Sequence, residues 1–147
     1  MVYLLDTNVL LRLTDRRNPQ HPLVRTAVRK LHRQGHQLAV TSQNCVEYWN
    51  VSTRPVARNG FGLAPGQTDR FLARIERLFR LLPDDPRVYA EWRRLVLHAA
   101  VAGVQVHDAR LAAAMIVRGV SHILTLNIGD FSRYHTDGIV AVDPSLV

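Results

Sequence analysis

A short apolar run, Val2-Tyr3-Leu4-Leu5, stops abruptly at the polar triplet Asp6-Thr7-Asn8, and this does most to restrict what the chain can fold into. A strand with one wet face alternates apolar and polar residues, whereas an uninterrupted run marks a parallel strand covered on both faces. Three later segments read the same way: Leu38-Ala39-Val40 ending at Thr41-Ser42, Ile123-Leu124-Thr125-Leu126, and Ile139-Val140-Ala141-Val142. Between them the apolar period becomes helical. Pro22 opens a helix with Leu23, Ala27, Val28 and Leu31 on one face and Gly35 just past its end. Ser42 is placed to cap a second helix containing Val46, Glu47 and Trp49. Helical spacing returns at Phe71, Leu72, Ile75, Leu78 and Phe79, ending before Pro83, and again over about 87–102 with Gly103 as its stop. Asp108 opens a further helix through Leu111, Ala112, Met115 and Ile116 to Gly119. Residues 54–66 mix glycine, proline and arginine without period and predict a mobile surface loop. Alternating strands and helices predict an α/β sandwich with a mostly parallel central sheet flanked by helices. At 147 residues the chain fits a single domain, 1–147.

Composition narrows the function classes. No apolar run approaches the roughly 20 residues of a membrane span, and the N-terminus meets Asp6 before a signal-peptide core could form, so a cytoplasmic protein is expected. A lone cysteine, Cys45, excludes an internal disulfide and any zinc ribbon. The net charge of +7 is carried almost wholly by arginine, the side chain suited to bidentate phosphate contacts, and leans toward a polyanionic partner.

The chemistry lies in the carboxylates. Only 12 acidic residues exist, and several stand in apolar settings. Asp6 follows the first strand, Glu47 sits within a helix, Asp108 begins a helix, and Asp130 follows the strand run Ile123-Leu124-Thr125-Leu126. In an open parallel sheet the carboxyl ends of strands and the adjoining helix starts face one crevice, so Asp6, Glu47 and Asp108 are expected to converge. Like charges in a partly buried crevice either raise their pKa values or recruit a cation. An all-oxygen donor set suits Mg²⁺ or Mn²⁺ and not zinc, which favours histidine and cysteine. Taken singly, Asp6 and Asp108 are equally well read as residues that satisfy backbone N–H groups.

Asp6-Thr7-Asn8 after the first strand, Glu47 in a helix, His107-Asp108-Ala109 at a helix start, and Thr125-Leu126-Asn127-Ile128-Gly129-Asp130-Phe131 near the end together resemble the PIN domain of VapC-type toxins. The resemblance covers essentially the whole chain. It implies a PIN-like three-layer sandwich and an endoribonuclease dependent on Mg²⁺ or Mn²⁺, commonly a homodimer, held inactive by a cognate VapB-like antitoxin. It also implies that Asp6, Glu47 and Asp108 are the catalytic, metal-binding acids, with Thr7 and Asn8 positioning Asp6. Asn127 stands where many PIN domains carry a fourth acid. Asparagine there more readily fixes a water or Asp6 than grips a metal alone. Asp130 can either accept backbone N–H groups that hold the turn before Phe131 or face the crevice. Metal-activated water attack would yield 5′-phosphate and 3′-hydroxyl ends.

Two other readings compete. A phosphatase with Asp6 as nucleophile would need a second acid two positions on, where Asn8 stands. A PIN-fold RNA-binding module without catalysis would be marked by loss of the acids, and all three are present.

Overall fold

The computed structural model describes all 147 residues. In chain order, β1 (Val2–Leu5), α1 (Thr7–Thr14), α2 (His21–Arg33), β2 (Gln37–Thr41), α3 (Ser42–Thr53), α4 (Pro65–Leu78) and β3 (Arg80–Leu82) form the first half. The second half contains α5 (Val88–His98), α6 (Val106–Arg118), β4 (His122–Leu124), α7 (Ile128–Ser132) and β5 (Val140–Val142). The sheet has five strands in the order β3-β2-β1-β4-β5, and every pairing is parallel. The expected α/β sandwich is present, with a sheet wholly and not merely mostly parallel.

Side-chain alternation divides the apolar residues between two layers. Tyr3, Leu5, Leu38, Val40 and Leu124 face α1, α2, α3 and α4, where Val9, Leu10, Val24, Leu31, Tyr48 and Ile75 complete one core. Leu4, Ala39 and Ile123 point the other way, against Leu95, Leu111, Ala112, Met115 and Phe131 of α5, α6 and α7. Both faces are dry, which explains runs without alternation. Right-handed crossovers require the connections moving outward from β1 to β3 and those serving β4 and β5 to lie on opposite faces. The order therefore reverses between β1 and β4, and the crevice outside their carboxyl ends is where an open parallel sheet presents a site.

Several expected boundaries move. Helix α1 has no counterpart in the sequence reading, because Val9-Leu10-Leu11 follows a strand of the same apolar character. Strand β3 was hidden likewise: it has only three residues, two of them exposed, at the sheet edge. Helix α4 starts at Pro65, earlier than the first apolar positions suggest, and α5 ends at His98, short of the expected stop at Gly103. Ala100, at φ 48°, takes the left-handed turn. Thr41, not Ser42, caps α3: its hydroxyl accepts from the Asn44 backbone N–H at 3.2 Å, while the Asn44 side chain accepts from the Thr41 N–H at 2.9 Å. Asp108 lies in the first turn of α6, which begins at Val106. Gly119 ends α6 as expected, at φ 66°, where an L side chain is strained.

The loop over 54–66 is pinned and not free. Phe61 and Leu63 donate backbone N–H bonds to Val51 and Ser52 at 3.0 and 2.9 Å, and Gly62 to Arg54 at 2.9 Å. A Cβ at Gly60 would stand 1.9 Å from the Arg54 carbonyl oxygen, so only glycine lets the chain fold back this closely.

Candidate active site

Asp6 caps α1 immediately after the central strand. Its Oδ1 accepts from the Thr7 N–H at 2.7 Å, and its Oδ2 accepts from Asn8 Nδ2 at 2.9 Å and from Thr125 Oγ1 at 2.7 Å. The last bond crosses the reversal point, since Thr125 directly follows β4. Asn8 is fastened there too, accepting from the Leu126 N–H at 3.2 Å. Both polar neighbours of Asp6 in the sequence thus hold a network, though differently: Asn8 orients Asp6, whereas the Thr7 hydroxyl donates to Glu47 Oε2 at 2.7 Å. Asn44 supports that hydroxyl, its Nδ2 donating at 3.2 Å.

Burial raises Asp6 from 3.8 to about 6, against the lowering effect of the Thr125 and Thr7 bonds, with Glu47 and Asp130 adding to the rise. Asp108 is also pushed up to about 6, first by burial and then by the fields of Asp130, Asp6 and Glu47, with His107 opposing. Its position in the first turn of α6 favours the ionised form, so burial, with the surrounding acids adding to it, outweighs the helix dipole. The turn itself is held from α5, where the Trp92 indole N–H donates to the Val106 carbonyl at 2.9 Å.

The fold therefore brings Asp6, Glu47, Asp108 and Asp130 within reach of one another's charge. Asp130 does not hold its turn, because its carboxylate accepts no hydrogen bond from the protein, while the adjacent Phe131 ring is fully buried. Asn127 is exposed, and only its backbone is engaged, donating to Thr125 Oγ1 at 3.0 Å. Thr125, Asn44 and Gln43 were missed by the sequence reading. Their roles depend on which elements pack together, and the one legible signal was Thr125 as the polar residue inside the run Ile123-Leu124-Thr125-Leu126.

These acids do not form a closed cage, since no three His, Cys, Asp or Glu side chains stand close enough to grip an ion as they are placed. Their chemistry nonetheless fits a hard divalent cation: the donors are oxygens, Asp6 and Asp108 are held ionised only at a cost, and Asp108 and Asp130 receive no protein hydrogen bond. The phosphatase arrangement is disfavoured, because Asn8 fills the second-acid position and its amide occupies Asp6 Oδ2.

The family model of the PIN domain matches residues 3–135. The chain belongs to the PIN domain family. No curated protein sequence is similar to it. Among solved structures it is similar to the VapBC2 complex of Rickettsia felis bound to promoter DNA, at 16% identity and a TM-score of 0.70, covering 97% of this chain and 98% of that one. It is also similar to VapBC-1 of nontypeable Haemophilus influenzae, at 17% identity and a TM-score of 0.70, with 99% of each chain covered. The FitAcB complex of Neisseria gonorrhoeae aligns at 20% identity and a TM-score of 0.66 over 100% of both chains. At these identities the likeness is one of fold. PIN domains are generally nucleases that use divalent metals. No helix is long and apolar enough to cross a membrane.

Proposed function

We propose that this PIN domain is the toxin of a VapBC-type toxin–antitoxin pair, an endoribonuclease dependent on Mg²⁺ or Mn²⁺. One observation carries the reading: Asp6 and Asp108, 102 positions apart in the sequence, are both raised to about 6 within a shared field of four acids at the reversal point of the sheet. Burial and mutual repulsion of this kind are relieved by a cation, and acids with a purely structural role gain nothing from them.

Asp6 and Asp108, with Glu47 completing the set, would hold the cation, and Asp130 adds charge beside them. When bound, a divalent ion supplies an acidified water and neutralises charge on the scissile phosphate. Thr7 and Asn8 keep Glu47 and Asp6 aimed while that exchange proceeds. The basic surface, at net charge +7, supports binding of an RNA backbone. The neighbouring structures are complexes of a toxin with its antitoxin, which supports a VapB-like antitoxin as partner and a cytoplasmic setting; a homodimer accords with the family.

Purified protein should cut RNA with Mn²⁺ and stop with EDTA, and Asp108→Asn should lose Mn²⁺ binding and cleavage together while its melting temperature holds. Expression should arrest bacterial growth, and Glu47→Gln should relieve the arrest. Cleavage by Asp108→Asn at the parent rate would remove the acids from the chemistry and favour an RNA-binding module.

A further inference from the structure

Gln43 stands one turn before Glu47 on α3, and both ends of its amide are engaged. Its Nε2 donates to Glu47 Oε1 at 2.9 Å and to the His107 carbonyl at 2.7 Å. Its Oε1 accepts from Arg110 Nη1 at 2.9 Å. The bond to Glu47 is an ordinary contact between helix residues four apart. The other two reach across 64 and 67 residues of sequence to α6, on either side of Asp108. Only one orientation of the amide serves: turned over, its oxygen would face a carboxylate and a carbonyl, and its NH₂ a guanidinium.

We infer that Gln43 is the positioning residue of the acid cluster, its amide locking Glu47 to the turn of α6 that carries Asp108, with Arg110 locking the amide. The inference rests on reading that cluster as a cation centre. Glu47 is then tethered on both oxygens, by Thr7 from α1 and by Gln43, itself fastened to α6, so its carboxylate does not have to be ordered when an ion arrives. Partners of metal-holding side chains typically matter by about 10–100-fold in affinity or rate. Contacts within α3 alone would not join Glu47 to Asp108, whereas this amide does.

The test uses the full chain, freed of metal, with Mn²⁺ as the probe. Gln43→Met keeps the side chain's length and removes both polar atoms. Calorimetry should show Mn²⁺ affinity weakened roughly 10-fold. Single-turnover cleavage at saturating RNA should slow by a similar factor, while half-saturation by RNA and melting in EDTA stay at parent values. Gln43→Glu keeps the acceptor for Arg110 but loses both donated bonds, and should do no better than Gln43→Met. Arg110→Met should weaken Mn²⁺ binding less, Arg110→Lys should restore it, and the double variant should be no worse than Gln43→Met alone. Because Arg110 is exposed, its variants carry the test if Gln43→Met fails to fold. Parent-like Mn²⁺ affinity in Gln43→Met, or additive losses in the double variant, overturns the positioning role. A parent chain that binds Mn²⁺ without cutting RNA would sink the nuclease reading and leave the affinity comparison decisive for Gln43. A parent chain that binds no Mn²⁺ overturns both.

Discussion

Without a cation, the acid cluster should make the protein less stable as pH rises. Asp6 is 8% exposed, and its carboxyl is raised from 3.8 to about 6 in the folded state. Between those values the folded chain binds more protons than the unfolded one, so stability falls as pH climbs through about 6 and levels off above it. At 1.36 kcal/mol per unit, the difference sets an upper scale of about 3 kcal/mol for Asp6. In a domain of this size that corresponds to a melting temperature lower by roughly 6–12 °C. Asp108 acts in the same direction, with a smaller effect because it is half exposed. His122 opposes both: burial lowers its pKa, so neutralising it on folding adds stability as pH rises. Asp85 and Asp143, held low mainly by hydrogen bonds from Arg87 and Ser145, lose their contribution only at more acidic pH. The comparison that isolates the cluster is parent against Asp6→Asn, melted in EDTA from pH 5 to 7.5. The parent should lose more stability across that window, and Mn²⁺ at about 100 times its dissociation constant should return about 2.7 kcal/mol at pH 7. Parallel curves for parent and variant, with no effect of Mn²⁺ on the parent, would refute the reasoning.

Thr125→Val retains volume but removes one of the two bonds to Asp6 Oδ2 and leaves the Asn127 N–H without a partner, and should cost about 1–3 kcal/mol by urea denaturation. Asp130→Ala should leave melting in EDTA unchanged or higher while weakening Mn²⁺ binding by calorimetry, because its carboxylate acts on Asp6 and Asp108 through charge alone.

What could be read from the sequence follows from where burial is continuous. The first strand run ends at Asp6 because the backbone there leaves the sheet and needs hydrogen-bond partners from side chains, and that change is visible in residue type. The acids were legible for the same reason, each being a charge beside apolar neighbours. Helix α1 was not, because a buried helix following a buried strand has no change of polarity to mark it. Strand β3, with Arg80 and Leu81 exposed, lacked the signature altogether. Gln43 and Arg110 read as ordinary polar surface, since the sequence does not disclose that α3 and α6 approach each other at their starts.

The hydrogen bonds divide the cluster into unequal parts. A carboxylate offers about four acceptor positions, and Asp6 has committed three, to Thr7, Asn8 and Thr125. Glu47 has committed one on each oxygen, to Thr7 and Gln43. Asp108 and Asp130 have committed none. Asp6 is therefore as much a clasp between β1 and β4 as a ligand, and an ion would find its least encumbered oxygens on α6 and α7. Removing the charge of Asp6 also sets an amide NH₂ against donors, since Asn8 cannot turn over without releasing the Leu126 N–H. On the proposed reading, loss of activity in Asp6→Asn would mix a disrupted clasp with a missing ligand, whereas Asp108→Asn would remove a ligand and break no bond within the protein. The two variants should differ in stability even where they agree in activity, and that difference separates Asp6's hold on the sheet from its part in the chemistry.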